Sequence, residues 1–496
     1  MQANEIGKIK KITGAKVLLY VTVPSVINQI GVESFQTSYI SVGSLVGTRL
    51  VDGRLLVMTV EEIYDSESVI HVSCYISGIY DEVTEKFTFG TNTYPLVGEQ
   101  VFKLWNKVLE HIFEPKQRTD SSTIGTYIYD KSVSVGYDPN ILFGKHLGVF
   151  GNTGSGKTCT VVSIIQNYIR KNQQKNIKFI ILDVNGEYKR AFKDDEAEYI
   201  PFEKLRFHHS ILSITEYGRL FRAAEGIQYP ALKECISILQ ANEKKWNLTE
   251  LPIQINQWVN NHADTQNGRK TEFSLNQING YLRTMCFRID GITGDQELMG
   301  VINSAEEQTV ETMLKTKKKV IVLDLQVSSD TLDIVVYLLF KALYEYKSYN
   351  RNSTHLSLVL EEAHRYINYD VEESRLGGYY IDKLSREGRK FGVGLIVSSQ
   401  IPSMLAYEVV SQCNSVIMHK ITNKRDMDFL RGILRVSSDT FYYQMSALEK
   451  QHAVVCGEAF PNDSIVRIHD ARPLPMSNDP EIEDIEPLSS INVNFH

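Results

Sequence analysis

The clearest chemical signal in the sequence is a glycine-rich segment that could hold phosphate groups. It begins at Gly151, and after four further residues it ends in Gly156-Lys157-Thr158. Glycines let backbone N–H groups curl around a phosphate, Lys157 supplies positive charge to its outer oxygens, and the Thr158 hydroxyl can bind Mg²⁺. We therefore predict that ATP and Mg²⁺ bind here. The candidate binding residues are Gly151, Asn152, Thr153, Gly154, Ser155, Gly156, Lys157, Thr158 and Cys159.

A second signal is a pair of adjacent carboxylates, Glu361 and Glu362, at the end of the apolar run 356–360. Hydrolysis of ATP at such a site uses one carboxylate near the metal and another that polarises the attacking water. Successive side chains of a strand point in opposite directions, so the two glutamates can do different work. We predict that Glu361 serves the metal, together with Thr158, and that Glu362 activates the water. By itself this pattern is more often a solvated strand end. The phosphate-binding loop upstream makes the catalytic interpretation the better one.

A third segment, residues 385–392, is basic and precedes another apolar run. Arg386 and Arg389 are three positions apart, so on a helix they would share a face. A guanidinium near the γ-phosphate could stabilise the charge of the transition state. Gln400 ends the apolar run, where a polar sensor of the phosphate would lie. A basic helix end alone is more often simply solvated.

A fourth segment, residues 182–188, follows the helical run after the glycine-rich loop. Asp183 and Glu187 flank an Asn185-Gly186 turn signal. The two carboxylates could face a nucleotide or a neighbouring subunit. A plain turn is an equally good interpretation.

The arrangement of apolar runs predicts the elements that hold these residues. Strands alternating with helical segments are typical of a parallel α/β sheet, and we predict a RecA-like P-loop ATPase core formed by residues 141–201 and 303–472. Residues 202–302 would be a helical insertion. Short Val-, Ile-, Tyr- and Thr-rich runs over residues 1–100 predict a small β-barrel, with a sandwich as the alternative. Residues 101–140 would form a linker and residues 473–496 an acidic tail or arm.

Composition narrows the class of protein. The chain has 496 residues, of which 43% are hydrophobic and 23% charged, as in ordinary globular proteins. We see no apolar run long enough to span a membrane and therefore expect a cytoplasmic protein. The six cysteines are dispersed, which favours neither a disulfide framework nor a zinc site. A net charge of −7 argues against a basic exterior that coats itself with nucleic acid, but it is compatible with DNA in a central channel.

In this order the segments resemble the HerA branch of the HerA/FtsK superfamily. The resemblance is carried by residues 42–47, 145–158, 183–188, 361–364, 386–392, 399–400 and 457–460. It implies a homohexameric ring with ATP at the subunit interfaces and double-stranded DNA in the central pore. It also implies that Arg386 acts on a neighbour's ATP as an arginine finger, with Arg389 as the second candidate. The partner protein it implies is an effector, either a nuclease such as a NurA-like one or a sirtuin-like NADase.

Three functions follow from these observations. The first is an ATP-dependent double-stranded DNA translocase or helicase that works with an effector in DNA end processing or antiphage defence. The second is an ATP-gated hexameric scaffold that activates its partner without obligatory movement on DNA, and the acidic charge mildly favours it. The third is a conjugation-type ATPase of the VirB4 or TraG group. The predicted barrel and the lack of a membrane segment weigh against the third.

Overall fold

The computed structural model describes residues 5–22, 40–66, 69–115, 122–262, 275–306, 308–351, 353–367, 376–434 and 439–476. Within these ranges no helix has both the length and the apolar character that a membrane crossing requires. The strands fall into two sheets, one of 7 and one of 11 strands.

The first sheet is a closed barrel near the N-terminus. Its strands are β1 (Glu5–Thr13), β2 (Lys16–Val21), β3 (Leu45–Arg49), β4 (Leu55–Ser66), β5 (Val69–Asp81), β6 (Lys86–Phe89) and β7 (Gln100–Lys103). Their order is β2-β1-β7-β3-β4-β5-β6, and the pairing of β2 with β5 closes the barrel, so the predicted barrel is confirmed. Alternate side chains point inward and form a core that includes Ile6, Val17 and Met58.

The second sheet carries the glycine-rich loop. Its strands are β8 (Ser122–Tyr127), β9 (Asp130–Tyr137), β10 (His146–Phe150), β11 (Ile177–Asp183), β12 (Ala197–Ile200), β13 (Val320–Asp324), β14 (His355–Leu360), β15 (Val393–Ser399), β16 (Ser415–Met418), β17 (His452–Gly457) and β18 (Ser464–Ile468). The order is β12-β13-β11-β14-β15-β10-β16-β17-β18-β8-β9. The pairs from β12 to β16 are parallel, and the pairs from β16 to β9 are antiparallel. The predicted α/β core is thus confirmed, and the parallel strands end at one common edge.

The helices cover both faces of this sheet and fill the predicted insertion. They are α1 (Asn106–Phe113), α2 (Pro139–Leu142), α3 (Lys157–Lys171), α4 (Ile214–Leu220), α5 (Gln228–Asn242), α6 (Glu250–His262), α7 (Leu275–Gly294), α8 (Gln296–Ile302), α9 (Thr309–Lys315), α10 (Ser329–Tyr349), α11 (Gly377–Glu387), α12 (Tyr407–Ser411), α13 (Lys424–Ile433) and α14 (Thr440–Met445). Helices α4 to α8 lie between β12 and β13, within the segment predicted to be a helical insertion.

The segment predicted to be a linker, residues 101–140, contains regular structure. It includes β7 of the barrel, helix α1 and the hairpin of β8 and β9. The hairpin extends the second sheet, because Val466 of β18 pairs with Tyr127. Its short Ser-, Thr- and Gly-rich sequence resembles a loop, and the pairing that makes it a strand comes from residues far along the chain.

A buried ion pair fixes the insertion against the ATPase core. Glu216 of α4 accepts hydrogen bonds from Lys341 Nζ at 2.5 Å, from Tyr337 Oη at 2.6 Å and from Tyr380 Oη at 3.0 Å. Burial alone would raise the pKa of Glu216, but Lys341 and Tyr337 outweigh it and lower this pKa to about 2. The carboxylate therefore stays ionised and ties α4 to α10 and α11.

We expect Lys341→Met to destabilise the protein by about 3–5 kcal/mol, because it leaves the Glu216 charge buried without its counter-ion. The unfolding temperature at neutral pH measures this loss. Lys244→Met, at an exposed position, is the matched control and should have little effect. Equal unfolding temperatures for the two variants would contradict the prediction.

Candidate nucleotide-binding site

The loop after β10 has the backbone that phosphate binding requires. Gly154 and Gly156 have φ values of 70° and 110°, in the left-handed region that favours glycine. A Cβ atom on Gly151 would lie only 2.6 Å from the Cβ of His419. Gly156 is also the N-cap of α3, so the N-terminal end of this helix, with its partial positive charge, opens onto the pocket.

Neighbouring segments hold the loop in place. Asn152 donates its backbone N–H to Lys420 O at 2.9 Å and its side-chain amide to Thr422 Oγ1 at 2.9 Å. The backbone N–H of Gln451 donates to Ser155 O at 3.3 Å. These contacts come from the segments after β16 and before β17. The C-terminal part of the chain therefore shapes the phosphate-binding loop.

A buried histidine lies beneath the loop. The ring of His419 contacts Thr160 Oγ1 through Nε2 at 2.9 Å and His452 O through Nδ1 at 3.1 Å. Burial, with the nearby charge of Lys157, lowers the pKa of His419 to about 3. The ring is thus neutral, donating from Nδ1 to the carbonyl and accepting at Nε2 from the threonine hydroxyl.

Lys157 is only 5% exposed, and its ammonium lies 3.3 Å from Asn152 O. Burial lowers the pKa of Lys157, and the charges of Glu362 and Glu361 partly offset this shift. A partly desolvated cation at the end of a helix favours an anionic ligand such as a phosphate.

The Glu362 carboxylate faces this lysine across the pocket. It accepts hydrogen bonds from the Gln400 backbone N–H at 3.3 Å, from the Gln400 side-chain amide and from His364 Nδ1, which is 3.3 Å away. Gln400 also accepts a hydrogen bond from the Thr153 hydroxyl. Burial raises the pKa of Glu362, but His364, Lys157 and Gln400 outweigh it and lower the pKa below its usual value. An ionised carboxylate at this position can accept a proton from water.

The backbone conformation at Glu362 separates the two glutamates. Its φ of 45° is in the left-handed region, which is unusual for a residue with a side chain. The chain turns sharply there, directly after β14. As a result Glu362 lines the pocket, whereas Glu361 faces the protein interior. Strained conformations of this kind persist where the surrounding structure enforces them, often at functional sites.

Glu361 is enclosed by protein groups. Tyr188 Oη donates to its Oε2 at 2.5 Å and Ser398 Oγ donates to its Oε1 at 3.1 Å. Only 1% of the residue is exposed, and burial raises the pKa of this carboxyl to about 7. The structure therefore brings Glu362, but not Glu361, to the pocket wall beside Thr158. The role of Glu361 at the metal stays a prediction.

The sequence of the turn after β11 allows two interpretations, a plain turn or a source of carboxylates for the nucleotide site, and the structure has features of both. Asp183 accepts the backbone N–H of Glu187 at 3.0 Å and that of Tyr188 at 2.9 Å, so it closes the turn and is 2% exposed. Asn185 and Glu187 line the nucleotide pocket. One carboxylate is thus a structural cap, and the other is placed at the site.

The two candidate arginines lie at the opposite edge of the sheet from the pocket of their own chain. His146 at the start of β10 contacts Ser385 O at 2.8 Å, which places the neighbouring Arg386 at the amino ends of the strands. Arg386 is bonded to Asp382, and its side chain is 55% exposed. The helix ends at Glu387, so Arg389 sits in the following turn and donates to Gln412 O at 2.8 Å.

Two pocket residues have no motif that would reveal them. Lys450 lies just before β17, and Met476 donates its backbone N–H to Glu187 O at 2.8 Å. Met476 belongs to the segment predicted to be an acidic tail, so this segment reaches the pocket at Met476. The rest of that predicted tail, residues 477–496, lies outside the described residues.

The strand order, the loop after β10 and the carboxylate after β14 define a P-loop ATPase with a RecA-like core. Solved structures share this fold. VirB4 of Thermoanaerobacter pseudethanolicus has a TM-score of 0.53 at 13% identity and covers 72% of this chain and 98% of its own. The bacterial conjugative coupling protein TrwB has a TM-score of 0.50 at 11% identity and covers 74% of this chain and 91% of its own.

Residues 122–343 match the family model described as the central domain of helicase HerA. A DNA double-strand break repair helicase HerA of Saccharolobus solfataricus is 25% identical over 72% of this chain and 70% of its own length. A probable helicase of Methanocaldococcus jannaschii is 24% identical over 87% of this chain and 86% of its own length. The chain is thus similar to helicases of the HerA type, and its fold and site are those of an ATP-hydrolysing enzyme.

The raised pKa of Glu361 leads to a pH-dependent stability. Since burial raises this pKa from 4.5 to about 7, the folded protein binds the proton more tightly than the unfolded chain does. Stability is therefore lost as pH rises through this window. We expect Glu361→Gln, which keeps the shape of the protonated carboxyl, to raise the unfolding temperature at pH 8 and to change it little near pH 4.5.

Calorimetric scans of the nucleotide-free protein across this pH range measure the effect. The exposed Glu203→Gln variant serves as the control and should follow the wild-type curve. A gain for Glu361→Gln that is equal at both pH values would show that the carboxyl is not the source of the pH dependence.

Proposed function

We propose that this protein is an ATP-dependent double-stranded DNA translocase that works as a homohexameric ring. The observation that carries the proposal is the position of the ionised Glu362 carboxylate opposite Lys157 and Thr158 in one pocket. This arrangement supports hydrolysis of a bound nucleoside triphosphate. Relatives named as DNA double-strand break repair helicases support the use of that hydrolysis on duplex DNA.

The geometry supports the following division of work. The backbone N–H groups of the loop and the Lys157 ammonium hold the β- and γ-phosphate oxygens. Glu362 accepts a proton from a water whose oxygen attacks the γ-phosphorus. The bond from this phosphorus to the β–γ bridging oxygen breaks, and the products are ADP and inorganic phosphate. Gln400 forms hydrogen bonds with both Thr153 and Glu362, which supports a role as a sensor of the γ-phosphate. When bound, Mg²⁺ would be held by the Thr158 hydroxyl and would neutralise phosphate charge.

The position of Arg386 suits action on a neighbouring subunit. It lies at the edge of the sheet away from its own pocket, and its side chain is exposed. In a ring, this edge of one subunit would face the nucleotide of the next, where the guanidinium would stabilise the transition state. Arg389 is the second candidate, but its bond to Gln412 O leaves it less free to move.

The proposal also includes a partner protein that acts as an effector enzyme. We infer a partner that is a nuclease or a sirtuin-like NADase, and a role in DNA end processing or antiphage defence. This part is supported by the resemblance to HerA-type motors. In the alternative, the ring is an ATP-gated scaffold, and the partner rather than DNA controls hydrolysis.

The first test measures ATP hydrolysis with and without duplex DNA. We expect DNA to stimulate the wild type, and we expect Lys157→Ala and Glu362→Gln to lower kcat by about 100-fold or more, the scale at which loss of a catalytic base acts. Lys244→Met is the control. Hydrolysis that ignores DNA but responds to the partner protein would favour the scaffold instead.

The second test mixes wild-type and Arg386→Ala subunits in varied ratios. If Arg386 acts on a neighbour, each mutant subunit inactivates an adjacent wild-type site, so activity falls more steeply than the mutant fraction. Arg431→Ala removes another exposed, ion-paired arginine and should leave activity unchanged at every ratio. Activity that simply tracks the fraction of wild-type subunits would contradict an action in trans.

A further inference from the structure

The Glu187 carboxylate has no role in the hydrolysis scheme above, although it lines the nucleotide pocket. Its Oε2 atom is buried and has no hydrogen-bond partner among the described residues. A buried carboxylate oxygen without a partner costs free energy, and in a native structure it usually has a ligand or a function.

The backbone of Glu187 is fixed on both sides. Its N–H donates to the Asp183 carboxylate at 3.0 Å, and its C=O accepts the N–H of Met476 at 2.8 Å. The side chain therefore leaves a turn that is fixed on both sides, and the residue lines the pocket that also contains Thr158. Such rigidity suits a group that must present one oxygen at a fixed place.

Glu361 has the opposite character. Both of its carboxylate oxygens already accept hydrogen bonds, from Tyr188 and Ser398, and it does not belong to the pocket wall. To reach a metal beside Thr158 it would have to break these buried bonds. Tyr188 follows Glu187 directly, so the same turn presents one carboxylate to the pocket and holds the other behind it.

We propose that Glu187, rather than Glu361, is the carboxylate that would hold the Mg²⁺ of the bound nucleotide, together with the Thr158 hydroxyl. Mg²⁺ in nucleotide sites is held by oxygen ligands, commonly one or two carboxylates together with substrate phosphates and water. The inference rests on the proposed function, because it requires a nucleoside triphosphate in this pocket.

The test is a calorimetric titration of the full-length protein with a non-hydrolysable ATP analogue, in Mg²⁺ and in EDTA. For the wild type, Mg²⁺ should tighten binding. Glu187→Gln should lose this Mg²⁺-dependent gain by about 10–100-fold, the cost of disturbing a metal-ligand arrangement, and should bind the analogue in EDTA like the wild type. Glu361→Gln, the matched control, should keep the gain.

Each outcome is decisive. The assignment is overturned if Glu187→Gln keeps the full Mg²⁺-dependent gain, or if Glu361→Gln loses it. It is also overturned if Glu187→Gln binds poorly even in EDTA, because the residue would then act on the loop and not on the metal. A wild-type protein that fails to bind the analogue in either buffer would instead overturn the proposed function itself. The Lys157→Ala variant provides the reference titration for a protein that does not bind the analogue.

Discussion

The pairing of three parallel strands is the constraint on which the rest of the molecule depends. Strand β15 bonds to β10 on one side, with Phe150 opposite Ser399, and to β14 on the other, with Leu360 opposite Val397. The phosphate-binding loop, the glutamates and Gln400 therefore leave the sheet at one edge, where Gln400 forms hydrogen bonds with both Thr153 and Glu362. A slip of one residue in either pairing would turn these side chains to the wrong face.

Burial and hydrogen-bonding partners decide the pKa values of the carboxyl groups at this edge of the sheet. Lys157 and Glu362 face each other across the pocket, and the neighbours of Glu362 keep its pKa low. Glu361, one residue earlier, is bonded to Tyr188 and Ser398 instead of water. Burial raises the pKa of this carboxyl. Adjacent carboxyls whose pKa values are pushed apart can take different roles.

Segments far along the chain complete the site. Residues after β16 and before β17 hold the loop through Asn152 and Ser155, and Met476 joins the pocket through Glu187. On the opposite side, Glu216 ties the helical insertion to α10 and α11, the helix that carries Arg386. The insertion is thus joined through one buried carboxylate to the helix that carries the candidate arginine finger.

The sequence by itself predicted the phosphate-binding loop, the twin glutamates, the α/β core and the β-structure near the N-terminus, because local spacing and periodicity encode these features. It left a barrel and a sandwich as alternatives, and the pairing of β2 with β5 decided for the barrel. It did not decide that Glu361 is buried behind the pocket or that Glu187 lines it. Strand alternation shows only that successive side chains point in opposite directions, and not which of them faces the pocket. The sequence also did not show that the Ser- and Gly-rich hairpin of β8 and β9 belongs to the main sheet, or that Lys450 and Met476 line the candidate nucleotide pocket. These outcomes depend on hydrogen bonds between residues distant in the chain, and only the tertiary structure brings those residues together.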